Sequence, residues 1–294
     1  MATDGKMIGQ RVSELPELPS REPDSHKGSY GRVLIVAGSR GMSGAAVLCG
    51  SAALRSGAGL VELAVPSEIL PIVAMANPCY LTLGLAADDQ GRLREQCERH
   101  LLDHVQLADV LAIGPGLGRS AEMADVVRCI LRETVRTVVV DADALNALVE
   151  QLDVLDERPA PTILTPHPGE FARLLGLTTE QVQRDRLNLA LQFASRHNVI
   201  LVLKGHGTIV TDGQRFFENS TGNPGMATGG TGDVLTGMIA ALVAQGLPPF
   251  EAAQLGVYLH GLAGDLASVD MGEIALIASD LINYLPRAFR SLTN

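Results

Sequence analysis

The sequence predicts an α/β fold with a mainly parallel central sheet and helices on both faces. Short strand patterns alternate with helical patterns nearly throughout the chain, as in sheets built from strands with crossover helices. Glycine-rich or polar segments follow the predicted strands at their carboxyl ends, which is where open α/β sheets bind ligands. Aromatic residues make up only 3% of the 294 and Trp is absent, so the core is predicted to be aliphatic, as in buried parallel strands.

Six strand patterns and one hairpin account for the predicted sheet. The strand patterns are short, mainly apolar runs over residues 32–37, 60–65, 109–113, 137–140, 162–164 and 199–203. The hairpin pairs residues 208–211 with 215–218 around Asp212-Gly213, a dipeptide that favours tight turns between antiparallel strands. Helical spacing of apolar residues predicts helices over 45–56, 121–132, 250–269 and 279–289, and a further helix that starts near residue 231.

The chain is predicted to be one domain over residues 27–294, with residues 1–26 as a flexible, proline-containing lead-in. The net charge of −10, from 23 basic and 33 acidic residues, argues against nonspecific nucleic-acid binding and against an anionic membrane surface. No apolar run approaches the ~20 residues of a membrane span, and residues 1–30 contain no secretory signal. Four cysteines without C-x-x-C spacing indicate reduced thiols in a cytoplasmic protein.

A glycine-rich loop that runs into a helix is the strongest functional signal. Five glycines fall within eleven residues of this loop, and they are Gly222, Gly225, Gly229, Gly230 and Gly232. A helix that begins near Thr231 would present free backbone N–H groups and its positive dipole end, which favours an anion and most often phosphate. We interpret Asp233, inside this site, as the base that accepts a proton from a hydroxyl attacking phosphorus. Helix capping by Asp233 is the alternative, but capping requires none of the five glycines.

Polar residues after other strands allow both a functional and a structural interpretation. Residues 38–44 have the spacing G-x-x-G-x-x-G instead of the dinucleotide-binding G-x-G-x-x-G, so they predict either a ligand-binding loop or a tight turn. Asp141 and Asp143 could belong to a site or cap the next helix, and His167 could be a site residue or a satisfied turn residue. Lys204 is followed by Gly-x-Gly-Thr, whose amides and hydroxyl favour a phosphate contact over an ordinary surface lysine.

Taken together, these loops resemble the ADP-dependent NAD(P)H-hydrate dehydratases, a family of ribokinase-like fold. The resemblance runs from about Lys27 to the C-terminal helix, and its most specific segments are TPHPGE and GNPGMATGGTGDVL. The other segments that carry it are KGSYGRVLIVAGS, GMSGAAVL, AALRSGAGLV, GPGLG, DADALNAL, VLKGHGTIV and YLHGLAGD. The resemblance implies a ribokinase-like three-layer α/β/α domain. Because its first segment begins so early in the chain, we expect no fused epimerase domain.

The resemblance implies repair of a damaged coenzyme. Water added across C5=C6 of the reduced nicotinamide ring gives a dead-end hydrate. The enzyme, a hydro-lyase, would transfer the β-phosphoryl group of ADP to the C6 hydroxyl of the S epimer. The ring nitrogen lone pair would then expel phosphate, so that the products are NAD(P)H, AMP and phosphate. Spending ADP is physically sensible because hydroxide is a poor leaving group and phosphate is a good one.

The resemblance also implies a role for each site residue. Asp233 would be the general base on the C6 hydroxyl, within an anion hole formed by Gly230, Thr231 and Gly232. The residues that would line the hydrate pocket are Ala45, Gly116, His167 and Asp233. The residues that would bind the adenine nucleotide are Lys204, Gly205, His206, Gly207, Thr208 and Gly232. Mg²⁺ would bridge phosphate oxygens, with water supplying most of its shell and with its protein ligands unknown.

Partners and alternatives complete the expectations. A separate NAD(P)H-hydrate epimerase would be the functional partner, and helices rich in Ala and Leu would offer an interface for a homo-oligomer, a tetramer being one form. The preference for ADP over ATP comes only from the resemblance. The alternative is an ATP-dependent ribokinase-like kinase of a vitamin-precursor alcohol, of the hydroxymethylpyrimidine or hydroxyethylthiazole type, and the TPHPGE segment argues against it. A third interpretation is a nucleotide-binding protein without activity, which would have no use for Asp233.

Overall fold

A single sheet organises the structure, a computed structural model that describes residues 9–292. Its strands are β1 (Gln10–Arg11), β2 (Arg32–Val36), β3 (Leu60–Pro66), β4 (Leu81–Leu85), β5 (Val110–Ile113), β6 (Thr137–Val140), β7 (Thr162–Leu164), β8 (Ile200–Leu203), β9 (Ile209–Thr211) and β10 (Arg215–Glu218). Their order is β1-β10-β9-β8-β7-β6-β5-β2-β3-β4. All neighbouring pairs are parallel except the antiparallel pairs β8–β9 and β9–β10. The predicted mainly parallel sheet is therefore confirmed.

Helices cover both faces of this sheet. They are α1 (Ser43–Arg55), α2 (Leu70–Ala76), α3 (Glu98–Leu107), α4 (Ala121–Glu133), α5 (Ala142–Asn146), α6 (Asp153–Asp156), α7 (Pro168–Leu175), α8 (Thr179–Arg184), α9 (Arg186–His197), α10 (Thr231–Ala244), α11 (Pro249–Met271) and α12 (Ala278–Arg290). Because side chains alternate along a strand, Leu34 faces α3–α9 while its neighbour Val33 faces α1, α2, α10 and α11. Helix α12 packs on the outer side of α10 and α11. The result is three layers, as the resemblance implied.

The boundaries show which sequence patterns are informative. β6, β7 and β10 match the predicted ranges, the hairpin turns at Asp212-Gly213, and α10 begins at Thr231 as predicted. β1 and β4 are missed. β1 has no apolar pattern and exists through its parallel pairing with β10, while β4 contains Gly84 and is only partly buried.

The lead-in contacts the domain from Gly9 onward. Besides the β1 pairing, the side chain of Gln254 donates to the carbonyl of Glu14 at 2.6 Å, and Arg21 donates to the carbonyl of Gly57 at 2.8 Å. Residues 1–8 lie outside the described residues, so the flexibility of residues 1–26 and the domain boundary at residue 27 stay predictions. Cys49, Cys79, Cys97 and Cys129 are free thiols, and no helix within residues 9–292 combines the length and apolarity needed to cross a membrane.

Two helix N-termini meet at the carboxyl edge of the sheet. Helix α1 follows β2, and α10 follows the glycine-rich loop. The two helices lie so close together that a Cβ on Gly237 would overlap the carbonyl oxygen of Cys49. This contact brings the first turn of α1 beside the first turn of α10, where the predicted site residues lie.

Candidate active site

The first turn of α10 presents a row of free backbone amides. Gly230 occupies the N-cap position with φ of +94°, and an added Cβ there would approach Leu48 Cδ1 to 2.5 Å. Only glycine meets both conditions. The N–H groups of residues 229–233 donate to no other described backbone or side-chain group, and the positive end of the helix dipole lies at the same place. This turn can therefore bind an anion such as phosphate.

Asp233 lies in this turn as a partly buried carboxylate. Gly230 holds the N-cap position and no side-chain capping bond closes the helix, so Asp233 makes no capping hydrogen bond although it lies in the first turn. Burial, followed by the charge of Asp141, raises the pKa of Asp233 to about 7, while Lys204 acts in the opposite direction. A carboxylate with a pKa near neutrality is suited to accepting a proton during a reaction.

Asp141, directly after β6, is a buried hub for hydrogen bonds. Its carboxylate accepts from Lys204 Nζ at 2.8 Å, from Thr165 Oγ1 at 2.7 Å and from Thr236 Oγ1 at 2.8 Å. The side chain makes no capping bond to α5, so the capping interpretation is wrong for Asp141. The next residue, Ala142, has φ of +50°, an uncommon conformation for a residue with a Cβ. Asp141 therefore ties together three elements around the first turn of α10.

Lys204 directly follows β8, and its ammonium group lies close to the first turn of α10. An added Cβ on Gly232 would lie 3.2 Å from Lys204 Nζ, and the lysine side chain is only 19% exposed. Burial lowers its pKa, but the carboxylates of Asp141 and Glu170 outweigh burial, and the net pKa is above the ordinary value. The ammonium is therefore charged at neutral pH, beside the free amides that could bind phosphate.

The loop after Lys204 offers a second row of free amides. The N–H groups of residues 205–208 donate to no other described residue, whereas Thr208 Oγ1 donates to the carbonyl of Gly205 at 2.9 Å. Gly205 and Gly207 have φ of +134° and +61°, which side chains disfavour. His206 is exposed. Their roles in nucleotide binding stay predictions.

The two glycine-rich loops after β2 and β5 contact each other. An added Cβ on Gly116 would lie 2.8 Å from Ala45 Cβ, and Ser39 Oγ donates to the carbonyl of Gly116 at 2.8 Å. An added Cβ on Gly41 or Gly44 would have no neighbour within 4 Å. The loop of residues 38–44 is thus open on one side, where a ligand ring could approach, and the hydrate contact of Ala45 and Gly116 stays a prediction.

His167 has a structural role that the sequence explains. It is the N-cap residue of α7, with Pro168 at the first helical position and Gly169 N–H donating to its Nδ1 at 3.0 Å. Glu170 accepts from the backbone N–H of His167 at 2.8 Å, which completes a capping box. Nε2 then carries the proton of the half-exposed ring, and burial lowers the pKa of His167. The turn interpretation is confirmed, and the contact with the hydrate stays a prediction.

Three further acidic or histidine side chains lie around the site, and two of them, His260 and Asp265, were not predicted from the sequence. Asp143 does not act as a simple cap, since its carboxylate accepts the N–H of Gly118 at 2.9 Å. His260 Nε2 lies 2.9 Å from the carbonyl of Thr231, and burial lowers the pKa of His260 to about 4, so the neutral ring donates there. Asp265 accepts the N–H of Gly222 at 2.8 Å. His260 and Asp265 belong to YLHGLAGD, which was the available signal for both.

The comparisons decide the family. A family model described as NAD(P)H-hydrate dehydratase matches residues 33–287. The chain belongs to this family. A curated relative, the ADP-dependent (S)-NAD(P)H-hydrate dehydratase of Neisseria meningitidis, is 40% identical over 92% of this chain and 90% of its own. The bifunctional NAD(P)H-hydrate repair enzyme Nnr of Moorella thermoacetica is 49% identical over 94% of this chain.

The share of each relative's length that this dehydratase-family chain covers differs. The chain spans 52% of the Moorella enzyme and about half the length of the other bifunctional relatives. Among solved structures, the ADP/ATP-dependent NAD(P)H-hydrate dehydratase of Bacillus subtilis, co-crystallised with ATP and Mg²⁺, matches with a TM-score of 0.78 and 33% identity over 93% of this chain and 94% of that one. A match to a solved ribokinase-like superfamily protein confirms the ribokinase-like fold.

Proposed function

We propose that the protein is an ADP-dependent dehydratase of the S epimer of NAD(P)H hydrate. The observation that carries this proposal is the position of Asp233, with its pKa near 7, among free amides and beside the Lys204 ammonium. A phosphate-binding turn that also contains a proton acceptor fits phosphoryl transfer to a hydroxyl. The name and the coverage of the Neisseria relative support the same reaction.

Each part of the site has a task in this mechanism. The amides of residues 205–208 and the charge of Lys204 bind the phosphates of ADP, while Ala45, Gly116 and His167 contact the hydrated ring. Asp233 takes the proton of the C6 hydroxyl as its oxygen attacks the β-phosphorus and AMP leaves. The amides of α10 stabilise the charge on the transferring phosphoryl group. The C6–O bond then breaks, phosphate leaves, and loss of a proton from C5 restores the double bond.

Magnesium fits the site as an ion held mainly by phosphate and water. Within residues 9–292, no group of three or more His, Cys, Asp and Glu side chains could hold a metal. The charges of Asp141 and Glu170 both raise the pKa of Asp233, but both carboxylates already accept hydrogen bonds within the protein, so no protein ligand of the ion is assigned. When bound, Mg²⁺ would offset the charge of the phosphates. The solved relative with ATP and Mg²⁺ supports this proposal.

Three further proposals concern partners and location. A separate epimerase supplies the S epimer, and the description of longer relatives as bifunctional repair enzymes, of which the chain covers about half, supports a second repair activity. The chain forms a homo-oligomer, with a tetramer as one form. The protein works in the cytoplasm, where its coenzyme substrates are used.

Absorbance at 340 nm tests the function. The protein is mixed with NADH hydrate, magnesium and either ADP or ATP, and the formation of NADH is followed. We expect a rise with ADP that is much faster than the rise with ATP. A rise only with ATP would overturn the nucleotide assignment, and no rise with either, on protein that still binds nucleotide, would favour the vitamin-precursor kinase.

A further inference from the structure

A single guanidinium group holds the loop that follows β8. Arg186, the first residue of α9, donates from Nη1 to the carbonyl of His206 at 2.5 Å. From Nη2 it donates to the carbonyls of Leu203 at 3.1 Å and Lys204 at 3.3 Å. One side chain therefore engages three carbonyl oxygens within residues 203–206, which span the end of β8 and the start of the predicted nucleotide-binding loop.

We infer that Arg186 is a positioning residue that aims the amides of this loop at the phosphates of the nucleotide. In a trans peptide the C=O of one residue and the N–H of the next point in opposite directions. Turning the carbonyls of Lys204 and His206 toward Arg186 therefore turns the N–H groups of Gly205 and Gly207 away from it. Both N–H groups lack any partner among the described residues, so they are available for a ligand.

The local sequence is adapted to this contact. An added Cβ on Gly205 would lie 3.3 Å from Arg186 Nη2, so the guanidinium packs directly against the loop backbone. The positive φ of Gly205 and Gly207 lets the chain turn around it. A lysine at position 186 has no planar fork and could not engage the same three carbonyls at once.

The burial of the Arg186 side chain destabilises the folded protein. Arg186 Nε is buried without a hydrogen-bond partner in the described structure, and burial lowers the pKa of the side chain. An unpaired buried donor destabilises a fold. In a chain of net charge −10, the guanidinium of Arg186 also places a positive charge against the backbone of the loop that would bind a nucleoside diphosphate. The inference deepens the proposed function, and it rests on that proposal only for the identity of the nucleotide.

Two variants and a matched control test the inference. R186M removes the guanidinium, R186K keeps the charge without the fork, and R184M removes an exposed arginine two residues earlier. The dissociation constant of ADP with Mg²⁺ is measured by calorimetry, together with the KM of NADH hydrate at saturating ADP and the melting temperature. Calorimetry needs no turnover, so it tests the loop even if the dehydratase proposal fails.

We expect both Arg186 variants to weaken ADP binding by about tenfold or more, corresponding to ~1.4 kcal/mol. The KM of the hydrate should stay within about twofold of wild type, and R184M should match wild type in each measurement. ADP affinity within about twofold of wild type in either R186K or R186M overturns the inference. An equal rise in the ADP constant and the hydrate KM, with a lower melting temperature, also overturns it, because that is the signature of general disruption. If wild type forms no NADH while ADP binding still depends on Arg186, the inference stands and the dehydratase proposal falls.

Discussion

Two opposing effects act on the pKa of Asp233. Burial and the neighbouring Asp141 favour its protonated form, while the ammonium of Lys204 favours the carboxylate, and the pKa is about 7. A carboxylate placed only to stabilise the helix dipole would need to stay charged, whereas burial at this position favours the neutral form. The placement is therefore better explained by proton transfer than by stability.

Replacing Asp233 by Asn should abolish turnover while keeping nucleotide binding. Asn cannot take the proton of the C6 hydroxyl, and a positioned base contributes ~10²–10⁴-fold to rate. The rate of NADH formation and the protection by ADP in a melting assay are both measured. A variant that keeps more than about a tenth of the wild-type rate would show that Asp233 is not the base.

The pH dependence of kcat/KM should report the ionisation of Asp233. The base must be unprotonated in the free enzyme, so kcat/KM for the hydrate should fall as pH drops through about 7. The D233N variant should lack this acid limb in its residual activity. Stopped assays from pH 5.5 to 9 at subsaturating hydrate would measure it, these limits being set roughly around the pKa. A flat wild-type profile across this range would contradict the assignment.

D233N should also be more stable than wild type at alkaline pH. The folded-state pKa, about 7, is above the ordinary value of 3.8, so the folded state holds the proton more tightly than the unfolded state. The contribution of this group to stability therefore falls as pH rises from about 4 to about 7 and stays unfavourable above that window. The melting temperature of D233N should exceed that of wild type at pH ~8, and the gap should shrink toward pH ~4. An equal or lower melting temperature at both pH values would contradict the burial of the charge.

At the scale of elements, the close approach of α1 and α10 assembles the site. Gly237 allows the two helices to meet at the backbone of Cys49, and Gly230 lies against the side chain of Leu48. Small residues at a helix contact permit short distances between the helix axes. The free amides of α10 therefore lie beside the first turn of α1, which contains Ala45.

G237A should separate these helices. The added methyl group would overlap the carbonyl of Cys49, and overpacking of this kind costs ~1–3 kcal/mol or more. We expect a clear drop in melting temperature, measured by calorimetry. The control is G44A, in an exposed turn of α1 where an added Cβ has no neighbour within 4 Å, and it should melt at or above the wild-type temperature because Ala favours helix. Equal melting of G237A and wild type would show that the contact is not tight.

The same elements show what a sequence can and cannot reveal. β6 and β7 are predictable because each is a compact apolar run between polar turns. The start of α10 is predictable because its glycines stand directly before helical spacing. The role of Asp141 is not, since Thr165 and Thr236, which bind it, are 24 and 95 residues away. The residues that surround Asp141 in the sequence indicate only a helix cap.

At the scale of the molecule, one sheet gathers loops that are far apart in the chain. Segments after β2, β5, β6, β7 and β8 reach the same edge, as parallel strands with helical crossovers require. The sequence could therefore predict which loops share the site. The sequence could not place Arg186 beside the loop after β8, because that contact depends on how α9 packs against the sheet.

The most direct test of the central claim follows one oxygen atom. NADH hydrate labelled with ¹⁸O in its C6 hydroxyl is converted with ADP and magnesium, and the phosphate product is analysed by mass spectrometry. If the hydroxyl attacks the β-phosphorus and the C6–O bond then breaks, the label must appear in phosphate, with one AMP for each NADH. Unlabelled phosphate, with the label released to water, would show that ADP is hydrolysed separately and would contradict phosphoryl transfer at Asp233.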